Sequence, residues 1–229
     1  MLLAAVLYGS YHPLGSWTAT LDGASPVTAW DLALPLWPVW IYPYSWVFFL
    51  GFLPLCVVRP MPLFRRVALA YCVLELVALV CFVVVPVHMT HGPGQFAITS
   101  FATWGLAVAL WVDTRANCFP SLHVAAAVLA TLTTWRVDRT LGGIAAVLAA
   151  LIAASTVLVK QHYLVDVIAG GGLAWICHRV LVAPVDLGAF EPSELALSRA
   201  WALVPLVAWA MVVAGLFAVY ATGWSPPRG

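Results

Sequence analysis

VALAYCVLELVALVCFVVVPV, residues 67–87, is almost unbroken apolar sequence. As an α-helix it rises about 1.5 Å per residue and so covers roughly the 30 Å of a bilayer's hydrocarbon core. Comparable windows recur along the chain. A span is expected from the Trp-, Tyr- and Pro-rich segment Trp30–Tyr44 to about Val58, and others over Pro120–Trp135, Leu141–Val159, His162–Val182 and Ala200–Tyr220. The runs are long and rich in Leu, Ala and Val, without the alternation of a transmembrane barrel. The expected fold class is therefore all-α, a polytopic membrane helical bundle of about six transmembrane helices. The 229 residues fit a single domain, 1–229, with the chemistry-bearing core in 67–182.

Composition agrees. Apolar residues make up 64% of the chain, charged residues 8%, and the mean hydropathy is +1.00. That is too little polar surface to cover a water-soluble globule of this size. The net charge of +1 offers no basic surface for nucleic acid and no polybasic arm. The five cysteines (Cys56, Cys72, Cys81, Cys118, Cys177) lack metal-site or redox spacing and read as small apolar residues. Met1–Ala5 has neither the basic start nor the cleavage site of a secretory signal, and Met1–Trp17 reads as interfacial. The Trp30–Trp46 stretch reads as an aromatic belt at headgroup level, or as the wall of a lateral lipid entrance.

Between the spans, Arg59-Pro60, Pro62, Arg65 and Arg66 suggest a tight basic turn, and Arg136–Thr140 a short charged one. His88–Phe119 is a long polar loop whose apolar part, Phe96–Trp111, either lies along the membrane or dips into it. Arg59, Arg65, Arg66, Arg136, Arg139, Arg179 and Arg199 all fall in connectors of one side, which the positive-inside rule makes cytoplasmic. The loop 88–119 and the turn 160–163 then face the other compartment. The Ala- and Val-rich, Lys-poor composition suggests a GC-rich bacterial gene, which would place the chain in an inner or plasma membrane with that face toward the periplasm or cell exterior.

Ionisable residues in or beside spans are costly in lipid and are functional candidates. One group is Asn117-Cys118-Phe119-Pro120-Ser121-Leu122-His123, where the polar loop enters a helix. Pro120 is expected in the first turn, with Ser121 and His123 at a helix N-terminus whose free N–H groups suit phosphate. The other is Lys160-Gln161-His162-Tyr163-Leu164-Val165-Asp166. Four residues apart on a helix, His162 and Asp166 share a face, so the carboxylate can fix the imidazole tautomer and leave the other nitrogen free to attack. A second histidine, His123, can protonate the departing alkoxide, while Ser121, Lys160 and free amides hold the phosphoryl oxygens. Gly170, Gly171 and Gly172 are expected to permit close helix packing. His12 and His178 are expected to be hydrogen-bonded packing residues.

Together these residues resemble the type 2 phosphatidic acid phosphatase superfamily. Its P-S-x-H motif corresponds to Pro120-Ser121-Leu122-His123, and its following S-R…H-x-x-x-D motif to Ser155-Thr156, His162 and Asp166. The wording NCFPSLHV with KQHYLVDVIAG is most similar to the branch holding inositolphosphoryl- and phosphocholine-transferring sphingolipid synthases. The resemblance implies a six-helix bundle with no metal or other cofactor, His162 as nucleophile, Asp166 as its orienter and His123 as general acid. Two departures stand out. The family's first motif has no match, since Phe52 precedes Arg59-Pro60 where a lysine belongs, and the arginine of the third motif is Thr156. The basic groups left to meet phosphate on the proper face are Lys160, Arg115, His88 and His91.

The expected activity is metal-independent hydrolysis of lipid phosphate or diphosphate esters through a phosphohistidine. Transfer of the phospho-headgroup to an alcohol acceptor is the alternative, and a proton-coupled transporter using intramembrane His and Asp the remote one. The expected partners are a lipid substrate and the membrane itself.

Overall fold

A computed structural model describes residues 2–90, 96–195 and 199–227. Among these, helices account for every regular element. Leu2–Thr18 (α1) and the short Ala29–Ala33 (α2) precede a run of short helical segments over Pro38–Val57 (α3). Then come Met61–Val84 (α4), Phe101–Val112 (α5), Leu122–Val137 (α6), Arg139–Leu158 (α7), Leu164–Cys177 (α8) and Leu203–Ala221 (α9). α8 continues as a π-helical turn over His178–Val182.

Five helical stretches are long and apolar enough to cross a membrane: Pro38–Val57, Met61–Val84, Arg139–Leu158, Leu164–Ala189 and Ser193–Ala221. The expected third span is α6, whose 16 residues cover only about 24 Å. The chain is a polytopic helical bundle. Several expected boundaries shift. Pro62, Arg65 and Arg66 lie inside the first turns of α4, where Pro at the second helical position lacks only an N–H that would have had no partner. The turn itself is Val58–Pro60. Phe101–Val112, started by the Ser100 capping box, is too short to span. Pro120 lies outside α6, because Ser121 takes the N-cap and accepts from Val124 N–H.

The core forms where small residues let helices approach. α6 and α7 run antiparallel, joined through Asp138, whose carboxylate accepts from Leu141 N–H. Ala127 and Ala130 of α6 meet Ala145, Ala149 and Ile152 of α7 with Leu50 and Val57 of α3. Against the other face of α6 lie Val67, Ala70 and Leu74 of α4 and Ala174 and Cys177 of α8. At Gly170 of α8, a Cβ would run into the Ser121 carbonyl, whereas Gly171 and Gly172 have open space. Close packing of α8 on the α6 N-terminus therefore rests on the first glycine of the three. Gly170→Leu is expected to destabilise the protein by about 2 kcal/mol or more through overpacking, with Gly171→Leu near neutral, as thermal unfolding in detergent would show.

The arginines Arg65, Arg66, Arg136, Arg139 and Arg179 share one end of the bundle. Arg136 is anchored there, donating to the Val182 and Val185 carbonyls. The starts of α6 and α8 lie at the opposite end, with α2 and the loop through Val87 and Met89.

Candidate active site

Three segments distant in sequence meet at that end. Ala24, Val87 and Asn117 pair as parallel bridges, so the 86–89 loop is clipped between the 24–25 turn and the 115–118 segment. Met89 N–H donates to Arg115 O, and His88 N–H to Ala24 O. Tyr163, at the N-cap of α8, is fully buried, and its hydroxyl lies 2.8 Å from Ser25 Oγ, 3.1 Å from Thr90 N and 3.2 Å from His88 O. A buried phenol with this many partners ties the loop to α8.

His162 does not begin α8; it precedes the N-cap, in the turn after α7. Its N–H and that of Gln161 both donate to Thr156 O, so the residue standing where the family has arginine holds the turn by its backbone. The His162 imidazole is 6% exposed, with Nδ1 at 3.0 Å from Cys118 O. A carbonyl can only accept, so Nδ1 carries the proton and Nε2 is left with its lone pair. The expected His–Asp pairing changes accordingly. Asp166 Oδ2 stands 3.6 Å from Nδ1, beyond hydrogen-bond reach, and accepts instead from Tyr163 N–H at 2.8 Å. Because the histidine lies off the helix, the i,i+4 geometry does not apply. Asp166 shapes the turn, its carboxylate fully buried beside the ring.

His123, in the first turn of α6, packs with ring centroids 5.7 Å from His162 and stacks on Tyr44 at 4.4 Å, with Phe48 edge-on. The two imidazoles are thus neighbours, edge to face. From the aromatic Trp30–Trp46 stretch, Tyr44 reaches the site and packs on one of its rings.

Lys160, the only lysine in the chain, is 7% exposed with left-handed backbone (φ 60°), a conformation costing a non-glycine residue about 1 kcal/mol or more. Its Nζ donates to Asp31 O at 2.8 Å and Leu34 O at 2.7 Å, so it does not snorkel. Burial lowers its pKa from the ordinary lysine value, and Asp31 opposes that shift. Asp31 itself is 3% exposed: Oδ1 accepts from Leu164 N–H at 2.9 Å, and Oδ2 from Thr28 N–H and Oγ1 at 2.9 and 2.6 Å. Burial works to raise its pKa, but the Thr28 hydroxyl, the Leu164 and Thr28 amides and Lys160 outweigh it and hold the carboxyl below its usual range. Asp31, Met89, Val157, Lys160, His162 and Tyr163 line a cavity of about 10 Å³, room for about one water.

The other expected phosphate ligands lie elsewhere. Ser121 is fully buried, its hydroxyl accepting from Val124 N–H and its own N–H donating to Asp166 O. His88 turns Nε2 to Thr18 O at 3.1 Å, its ring packed over Gly23. Arg115 is exposed and does not line the cavity, and His91 lies outside the described residues. Among the described residues, no three His, Cys, Asp or Glu side chains gather as a metal site. Cys118 Sγ faces Arg115 O, and burial raises its thiol pKa; the other cysteines are unpaired too.

Over residues 27–180, about two thirds of its length, the sequence matches the model of the PAP2 superfamily. The chain belongs to that superfamily, the type 2 phosphatidic acid phosphatases. No curated protein and no solved structure matches it. The matched region of this PAP2 protein opens just before Thr28 and Asp31 and holds both histidines. It therefore includes the one strong site residue that the spacing of motifs did not single out. Asp31 carries no motif; its only signal is a carboxylate in a segment otherwise made for a membrane interface.

Two further ionisable groups were outside the sequence expectations or differ from them. Glu75 is buried in the middle of α4, with Oε1 lacking a hydrogen-bond partner among the described residues. His178, buried in the π turn, likewise has no partner for Nε2 among the described residues.

Proposed function

We propose that this PAP2 protein removes the phosphoryl group of a lipid phosphate or diphosphate ester through a covalent phosphohistidine at His162, on the extracytoplasmic face. The observation that carries the reading is the pair of neighbouring imidazoles, His162 with Nδ1 held by a carbonyl and His123 beside it. The His162 Nε2 lone pair attacks phosphorus as the ester P–O bond breaks, and His123 gives its proton to the departing alkoxide. Water then attacks the phosphohistidine, His123 takes the proton, and phosphate leaves with the imidazole restored. Asp166 stabilises the charged ring in between. The arginines gathered at the opposite end support the assignment of faces.

Transfer to a lipid or sugar alcohol is the second reading, favoured by the cavity's charge. Its single cationic side chain, Lys160, already serves two carbonyls, which suits a singly charged phosphodiester better than a doubly charged monoester. The test is purified protein in detergent with chelator present, given lipid phosphates with and without alcohol acceptors. Phosphate release supports hydrolysis, and product formed only with acceptor supports transfer. No product under either condition sinks both. His123→Ala should slow turnover of alkyl esters by about 10²-fold or more, yet far less for a nitrophenyl ester whose leaving group needs no proton.

A further inference from the structure

Beside the polar cavity lies a second one, of about 340 Å³, within the range of ligand pockets. Its walls are apolar: Ala153, Ala154 and Val157 of α7, Leu164 and Val167 of α8, and Leu34. Three features join it to the site. Val157 lines both cavities. Leu34 supplies a carbonyl to Lys160 Nζ, and Leu164 N–H donates to Asp31 Oδ1. From Leu158 to Ala153 the groove descends about 7.5 Å along α7, away from the polar end and toward the middle of the span. Ala154 is exposed on its floor, so the groove opens sideways on the membrane-facing surface of two spanning helices.

The polar cavity alone admits little more than a water-sized group, and the apolar one offers no charged or hydrogen-bonding side chain. A ligand that fits both has a small charged head at His162 and Lys160 and a hydrocarbon body running from it into the bilayer. We infer that the α7–α8 groove binds one hydrocarbon chain of the lipid phosphate ester, entering laterally from the membrane and setting the preference for long chains. This rests on the reading of His162 given above and assigns the chain a place in it.

Ala154→Trp fills the groove with an indole at an exposed position. The ratio of kcat/KM for dipalmitoyl over dihexanoyl phosphatidic acid should fall roughly tenfold or more, what about two buried methylenes contribute. Ile144→Trp, equally bilayer-facing but at the far end of α7, serves as control and should leave the ratio unchanged. Equal ratios in the two variants would overturn the proposal. A phosphatidic acid carrying a diazirine in its chain gives a readout independent of turnover. Labelling of Ala153–Leu158 should be competed by dipalmitoyl phosphatidic acid and not by dipalmitoylglycerol, and should be lost in Ala154→Trp. Labelling competed by neither overturns the groove. Competed labelling without phosphate release would uphold the groove and fail the hydrolytic reading.

Discussion

Replacing His162 with alanine should reduce phosphate release from a lipid phosphate by at least about 10³-fold, because removal of a nucleophile leaves only the binding contribution of the remaining site. The fold should survive. The ring makes one hydrogen bond, to Cys118 O, and the turn that carries it is held by the Thr156 carbonyl and by Asp166, which the substitution leaves in place. Wild-type protein quenched during turnover of ³²P-labelled lipid should retain label that acid removes and alkali does not. His162→Ala should retain none, whereas His123→Ala should retain label from a nitrophenyl ester. Unchanged release from His162→Ala with native-like unfolding would refute the covalent route through this ring.

Asp31→Ala should be the next most damaging change, although no step in the proposed chemistry uses the carboxylate. Its loss strands the amides of Leu164 and Thr28, each at a cost of about 1–3 kcal/mol when buried. It also withdraws the negative charge beside Lys160, whose Nζ is bound to the Asp31 and Leu34 carbonyls at the C-terminal end of α2. Once α2 loosens from α8, the Lys160–His162 turn loses its outer support, and a displacement near 1 Å costs about 10²-fold in rate. Asp31→Asn keeps an acceptor for Leu164 and should recover most of the stability. Because it lacks the charge that keeps Lys160 protonated, the alkaline limb of its pH–rate profile should move to lower pH. A profile that falls uniformly, with no alkaline shift, would reduce Asp31 to a structural support.

The long spans were legible because burial in lipid leaves a composition that little else imitates, as Val67–Val87 shows. The paired histidines were legible because two motifs carry them in fixed order. What sequence spacing could not show was side-chain geometry. Reading His162 and Asp166 as one helical face assumed that the helix began at the histidine. With Tyr163 at the N-cap position the ring lies off the helix, and its Nδ1–H donates to Cys118 O. Ser121 looked like a phosphate ligand by position, yet an N-cap serine spends its oxygen on the helix it starts. Lys160 and Asp31 lie 129 residues apart, and no local pattern announces such a contact. Glu75 lies inside the most apolar stretch, where one carboxyl scarcely changes a window average.

The left-handed backbone at Lys160 links the ends of the polypeptide's making as well as its space. Its side chain closes on carbonyls of Asp31 and Leu34, which are synthesised early, while the ring it stands beside is held by Cys118 and flanked by Asp166, made much later. A nascent chain that has inserted α1 to α7 has no Leu164 amide for Asp31 and no Asp166 beside the turn. The hydrogen bonds that tie α2 to the 160–166 turn are therefore completed only once α8 has been made, so that this end of the bundle closes across nearly the whole order of synthesis.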